Sequence, residues 1–187
     1  MKVIKTDLPG VCLIEPRVFC DGRGYFFETY HARRYLEHGV AESFVQDNVS
    51  LSTCGVLRGL HYQIGQPQAK LVMVLSGEIH DVVVDIRRGS PTFGKWLRTA
   101  ISSDNHRQLL IPKGFAHGFC VISETATVLY KCSDFYAPNE ERGIRWNDPA
   151  LNIAWGVESP TLSEKDRSHP SINEMAPEDL PLFGDAR

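Results

Sequence analysis

Lys70-Leu71-Val72-Met73-Val74-Leu75-Ser76-Gly77-Glu78-Ile79-His80-Asp81-Val82-Val83-Val84-Asp85-Ile86 holds two β-branched, apolar runs separated by a Ser-Gly turn signal. Both read as strands. Outward from them, similar segments follow at short intervals: Val11 to Pro16, Gly24 to Tyr30, Phe44 to Leu51 and Val56 to Gln63 on one side. Lys95 to Ser102, Gln108 to Pro112, Gly118 to Ile122 and Thr125 to Phe135 lie on the other. Turn signals at Asp21-Gly22, Cys54-Gly55, Arg88-Gly89-Ser90-Pro91, Asp104-Asn105 and Pro112-Lys113-Gly114 punctuate them. Few helical stretches intervene, so the pattern predicts an all-β antiparallel sandwich or barrel rather than βαβ units. A short helix is expected over Ala32 to His38, closed by Gly39. Thr161-Leu162-Ser163-Glu164 has the S/T-x-x-E capping pattern and predicts a helical turn near Lys165 and Asp166. Pro170, Pro177 and Pro181 predict an extended tail from about 171, docked by Leu180, Leu182 and Phe183.

The 187 residues suit one domain whose core forms without staples, so residues 1–187 read as a single unit with a tail. Hydrophobic residues at 42% and charged residues at 23% exclude wholesale disorder and membrane spans. The formal charge of −3 lacks the basic excess that nucleic acid demands. A small anion is still admissible, since a few basic residues in one cleft suffice. Lys5, Asp7 and Pro9 interrupt any apolar run near the N-terminus, so neither a signal peptide nor an anchor is expected. Five cysteines with no C-x-x-C pair predict reduced, buried thiols in a cytoplasmic protein and no structural zinc.

Two polar blocks carry the chemistry: Gly59-Leu60-His61-Tyr62-Gln63 with Lys70 to Gly77, and Pro112-Lys113-Gly114-Phe115-Ala116-His117-Gly118-Phe119. They resemble the paired signatures of the cupin superfamily, a small jelly-roll β-sandwich or barrel with a few short helices. The cupin pattern supplies two His, a Glu and a third His to one metal. Here Gln63 and Lys70 stand at two of those places, leaving His61 and His117. An ammonium is repelled by a divalent cation, and two His fall short of the usual three protein ligands. No metal is expected. Alternation along Thr125 to Phe135 and beyond places Val128, Tyr130, Cys132, Asp134 and Tyr136 on one face. If that face points inward, Tyr130 meets His61 in one cavity, and a base and an acid flank whatever binds there.

The whole chain also resembles a narrower family, the dTDP-4-dehydrorhamnose 3,5-epimerases. The matching runs are Asp21-Gly22-Arg23-Gly24-Tyr25-Phe26-Phe27-Glu28, Phe44 to Ser50, Leu57-Arg58-Gly59-Leu60-His61-Tyr62-Gln63 and Gln68-Ala69-Lys70-Leu71-Val72. Pro112 to Phe119, Glu141-Arg142-Gly143-Ile144-Arg145-Trp146 and Leu162-Ser163-Glu164-Lys165-Asp166 complete the set. The resemblance implies a dTDP-linked 4-keto-6-deoxyhexose as substrate, inversion at carbons 3 and 5, and no cofactor. By resemblance His61 is the base, Asp166 pairs with it, Lys70 stabilises the enolate and Tyr130 is the acid. By resemblance Arg58 contacts the diphosphate, and His117 lies in the same pocket. Arg23, Glu28, Gln46, Asp47, Asn48, Glu141 and Lys165 carry over as binding positions, and Phe26 and Tyr136 offer aromatic surface to thymine or sugar. Strict alternation puts Arg58 and His61 on opposite faces, so a bulge at Gly59 is needed to bring both inward. The resemblance also implies a homodimer that exchanges N-terminal segments, with residues before about 50 lining the partner's cavity. Three alternatives stay open: a relative that inverts carbon 3 or carbon 5 only, a metal-dependent cupin, and a purely sugar-binding cupin.

Overall fold

The computed structural model describes residues 1–184. In chain order its strands begin with β1 (Lys2–Lys5), β2 (Cys12–Glu15), β3 (Val18–Asp21), β4 (Gly24–Phe27), β5 (Gln46–Thr53), β6 (Leu57–Gln63) and β7 (Lys70–Ser76). They continue with β8 (Glu78–Asp85), β9 (Trp96–Ser102), β10 (Gln108–Ile111), β11 (Phe115–Val121), β12 (Thr125–Cys132) and β13 (Glu141–Gly143). Two short helices, α1 (Ala32–Glu37) and α2 (Glu164–Arg167), lie outside the sheets. One sheet runs β1-β2-β10-β7-β12-β5, the other β13-β6-β11-β8-β9, and β3 with β4 forms a separate hairpin. The expected antiparallel sandwich is therefore present.

Period-2 alternation builds the interior. Val72, Val74, Leu109, Ile111 and Val128 from the six-stranded sheet meet Ile79, Val83, Phe115, Phe119 and Val121 from the other. The alternate residues of the five-stranded sheet, Leu60, Tyr62, Val82, Val84 and Ala116, are covered by Ile144, Leu151, Trp155, Ile172 and Leu180. That sheet is buried on both faces, which is why Val82-Val83-Val84 is an unbroken apolar run. Around α1, Tyr35 and Val40 seal Ile14, Leu71 and Leu110 on the outside of the six-stranded sheet.

Several expectations are corrected. The strands β1, β3 and β13 went unpredicted; β13 reads Glu-Arg-Gly and owes its form to pairing with β6. The cap of α2 lies two residues beyond Thr161: Ser163 Oγ accepts the Asp166 amide at 3.1 Å. The backbone of Thr161 is instead committed to Gly55 and Leu57. The tail is not simply extended, since it makes 3-10 turns at Ile172–Glu174 and Pro177–Asp179. It docks through Leu180, which is buried, and Phe183, whose ring lies 5.0 Å from the Arg87 guanidinium. Cys120 and Cys132 are buried free thiols, whereas Cys20 and Cys54 are exposed because they sit in a hairpin and a turn.

One irregularity sets the site. Along β6 and β11, His61 pairs with His117, but Arg58 pairs with Phe119, so β6 carries one extra residue there. The bulge turns Arg58 and His61 to one face and leaves Leu57 and Leu60 in the outer cluster. It needs two glycines back to back: a Cβ on Gly59 would meet Gly118 Cα at 2.5 Å, and one on Gly118 would meet the Arg58 carbonyl at 2.7 Å. Gly118→Ala should therefore cost about 1–3 kcal/mol by overpacking. A denaturant midpoint equal to that of the parent chain would show that the strands tolerate separation here.

Candidate active site

In-register pairing lays polar residues in rows along the inner face of the six-stranded sheet. Gln46, Cys132 and Lys70 stand side by side on β5, β12 and β7, and Asn48 and Tyr130 form the next row on β5 and β12. From the opposite sheet come Arg58, His61 and Gln63 on β6 and His117 on β11. α2 adds Lys165 and Asp166 at the rim, and the segment after β12 adds Tyr136. Together they line a cavity of about 570 Å³.

His61 Nε2 lies 2.5 Å from Asp166 Oδ1. With Nε2–H donating to the carboxylate, Nδ1 holds the lone pair of the neutral ring, which defines a base. Burial alone would raise the Asp166 pKa, but the imidazoles of His169 and His61 and the Ser163 cap hold it well below the usual carboxylate range. The carboxylate stays ionised beside the imidazole.

Across the cavity, burial pushes the Lys70 ammonium below the ordinary lysine range, with Cys132, Glu141 and Asp81 pulling the other way. Its Nζ has no ion-pair partner within 4.0 Å among the described residues. Burial and the neighbouring Cys132 raise the Tyr130 phenol, partly offset by Arg58, so it is protonated at neutral pH. The cavity thus sets an imidazole on one sheet against an ammonium and a phenol on the other.

The remaining polar groups are held by one another. His117 Nε2 sits 3.0 Å from both oxygens of buried Asp81. Arg58 Nε donates to Ser52 Oγ at 3.1 Å. Glu141 Oε2 accepts from Tyr136 Oη and Lys165 Nζ, both at 2.5 Å. Gln46 Oε1 accepts the Tyr136 amide at 2.9 Å, and its Nε2 donates to Asn48 Oδ1 at 3.0 Å. Gln63 Nε2 donates to the Gln66 and Phe135 carbonyls, while its Oε1 accepts the Ala137 amide. It fixes the segment that carries Tyr136.

Four expected binding residues lie elsewhere in the chain. Asp47 falls on the odd phase of β5, faces away from the cavity and pairs with Lys131 at 2.8 Å. Arg23 pairs with Asp21 within the β3–β4 turn, and Glu28 pairs with Arg34. Phe26 is 72% exposed on the same hairpin, where the His106 ring packs at a tilt against Tyr25 and Phe27. Sequence reasoning overlooked Asp81 and His169. Asp81 shares the inward phase of Ile79 and Val83, and His169 stands three residues after Asp166, just past the end of α2; both spacings were readable.

The donor set does not suit a metal. At the cupin positions, the Gln63 amide is spent on backbone, Lys70 offers an amine in place of a carboxylate and His117 is engaged by Asp81. His61, Asp166 and His169 offer atoms within 4.8 Å of one another. Ligands held about 2.0–2.2 Å from one ion in tetrahedral geometry stand more than about 3 Å apart. The 2.5 Å approach of His61 to Asp166 is a hydrogen bond instead. No described helix is long and apolar enough to cross a membrane.

The family model for dTDP-4-dehydrorhamnose 3,5-epimerase matches residues 5–174. A dTDP-4-dehydrorhamnose 3,5-epimerase from Pseudomonas aeruginosa is 58% identical over 169 residues, covering 89% of this chain and 93% of the relative. A dTDP-6-deoxy-D-glucose-3,5-epimerase from Legionella pneumophila, solved in complex with dTDP-4-keto-L-rhamnose, superposes with a TM-score of 0.95. It is 49% identical, with 97% of this chain and 98% of that one covered. A 3'-monoepimerase from Streptomyces bikiniensis, solved with dTDP-quinovose, is 32% identical with a TM-score of 0.88, covering 96% and 92%. With the match spanning most of its length, the chain belongs to the dTDP-4-dehydrorhamnose 3,5-epimerase family.

Proposed function

We propose that the cavity converts dTDP-4-dehydro-6-deoxy-D-glucose to dTDP-4-dehydro-L-rhamnose by proton transfer at carbons 3 and 5, without a cofactor, in one domain working in the cytoplasm. The observation that carries this reading is the 2.5 Å pair of His61, on one sheet, with Asp166 of α2, set across the cavity from Lys70 and Tyr130 on the other sheet. The C4 ketone acidifies the protons on its two neighbours. His61 removes one, and ionised Asp166 stabilises the imidazolium that results. Negative charge then develops on the ketone oxygen. Lys70, an ammonium without a carboxylate partner among the described residues, is the fixed charge for it. Tyr130 returns a proton to the opposite face, which inverts the carbon.

Arg58, at the cavity mouth, and His117 are the proposed diphosphate contacts. Gln46, Asn48, Tyr136, Glu141 and Lys165 would bind nucleotide and sugar. A homodimer accounts for the rest: Arg23, Phe26 and Glu28 would enter the partner's cavity on the exchanged hairpin. Exposed Phe19, Tyr25 and Phe26 on that hairpin and Val49 and Leu51 on β5 are apolar surface that such an exchange would cover.

The test is incubation with dTDP-4-keto-6-deoxyglucose in heavy water, counting labelled carbons by NMR. Label at both carbons supports double inversion, and label at one carbon only would reassign the chain to a single-centre epimerase. His61→Asn should abolish incorporation; undiminished label would remove His61 as the base. In the same assay Tyr130→Phe should slow product formation more than exchange. Lys70→Ala should lower kcat about 100-fold, near the ~3 kcal/mol of a lost oxyanion donor. Because burial depresses the Lys70 pKa, activity should fall on the alkaline side below the ordinary lysine range. That limb should vanish in Lys70→Ala. A variant changed only in KM would restrict Lys70 to binding.

A further inference from the structure

His169 is unused by the mechanism above, yet its side chain is 11% exposed and lies against the dyad. Its Nε2 is buried, has no hydrogen-bond partner within 3.5 Å, and faces Asp166 Oδ1 at 3.6 Å. This is the oxygen that His61 Nε2 already holds. The two imidazoles meet edge to face, with ring centroids 5.6 Å apart and planes at 79°. Room for the second ring is built in: a Cβ on Gly143, which pairs with His61 in β13, would stand 2.3–2.4 Å from three atoms of the His169 ring. An orphaned buried nitrogen, a glycine-lined slot and a shared carboxylate oxygen coincide.

We propose that His169 is a positioning residue for the reaction: its Nε2–H is directed at the Asp166 oxygen that serves His61, shares it, and so sets how strongly the carboxylate holds the His61 proton. This rests on the reading of His61 as base. A carboxylate oxygen that serves two donors serves each less, and the base stays free to take a substrate proton. Sign and source are both traceable. Whether His169 is neutral and donates a dipole or is cationic, removing it strengthens the hold of Asp166 on the imidazolium. Other groups around His61 are Glu141 from β13 with Lys165 paired to it, His117 with Asp81 from β11 and β8, and Lys70 from β7. Around His169, besides Asp166 and His61, stands Arg145, whose Nε reaches the His169 carbonyl at 3.5 Å. None of these is altered by the variants below.

The experiment follows the His61 ring by NMR through a pH titration of the ligand-free protein, so no turnover is required. In His169→Phe, which keeps a ring but loses the donor, the His61 midpoint should rise by about 0.3–0.5 pH unit, less than a full hydrogen bond would give because the contact is 3.6 Å. His169→Gln restores an N–H and should return the midpoint toward the parent value. Gly143→Ala, which drives a methyl into the slot, should shift it in the same direction as His169→Phe. The acid limb of kcat/KM should move with the ring. An unmoved midpoint in folded His169→Phe, or a glutamine that behaves like phenylalanine, overturns the proposal and leaves His169 as packing. If the phenylalanine variant does not fold, the glutamine and Gly143→Ala titrations decide alone. Failure of the base reading is seen separately, in the deuterium exchange of His61→Asn.

Discussion

The close approach of two glycine backbones, Gly59 on β6 and Gly118 on β11, is the constraint on which the site depends. A strand alternates, so residues three apart face opposite ways, and Arg58 and His61 would be divided between cavity and outer core. One extra residue in the ladder rephases the strand. The imidazole and the guanidinium then share the cavity face, while Leu57 and Leu60 remain in the outer cluster. The bulge is possible only where neither strand carries a Cβ. Backbone geometry here, rather than side-chain chemistry, decides which residues can react together.

From that point the site is assembled by two different kinds of support. The six-stranded sheet offers rigid rows, in which cross-strand register sets Lys70 beside Cys132 and Tyr130 beside Asn48. The five-stranded sheet offers His61 and His117, and each finds a carboxylate from another element: Asp166 from α2 and Asp81 from β8. Ring nitrogens withdrawn from solvent need such partners, because an unpaired polar group in this interior would be costly. Lys70 and Tyr130 differ. Their polar ends make no ion pair and no hydrogen bond, respectively, among the described residues, and both line the cavity. The positions that hold a metal in other cupins have been turned to other work, with Gln63 pinning the Tyr136 segment and Lys70 contributing charge.

Much of the fold was legible because it rests on local signals. β-branched runs and turn residues located most of the strands, and β7 was bounded to the residue. What escaped was set by tertiary pairing: β13 has no apolar residue, and Thr161 is drawn into a bridge with Val56 that moves the cap to Ser163. In the site, alternation correctly grouped Tyr130 and Cys132, since period 2 is a property of the strand; β12 ends at Cys132, so Asp134 does not line the cavity, and Tyr136 reaches it through the turn that Gln63 holds. The placement of Asp47 was missed for the same reason, because it sits between two inward residues and must face out. Arg23, Phe26 and Glu28 belong to a hairpin that this chain does not fold over its own cavity. No local pattern reports where such a hairpin will go.

The two halves of the dyad lie 105 residues apart, and the carboxylate belongs to the segment that wraps the outer face of the five-stranded sheet. A nascent chain emerging from the ribosome can complete every strand of both sheets before Asp166 is made. Such a barrel would have its phenol and its ammonium in place around an imidazole with no counter-ion. Asp166 therefore reaches His61 only once the outer wrap has closed, and the contact that finishes the fold is also the one that gives the imidazole its carboxylate.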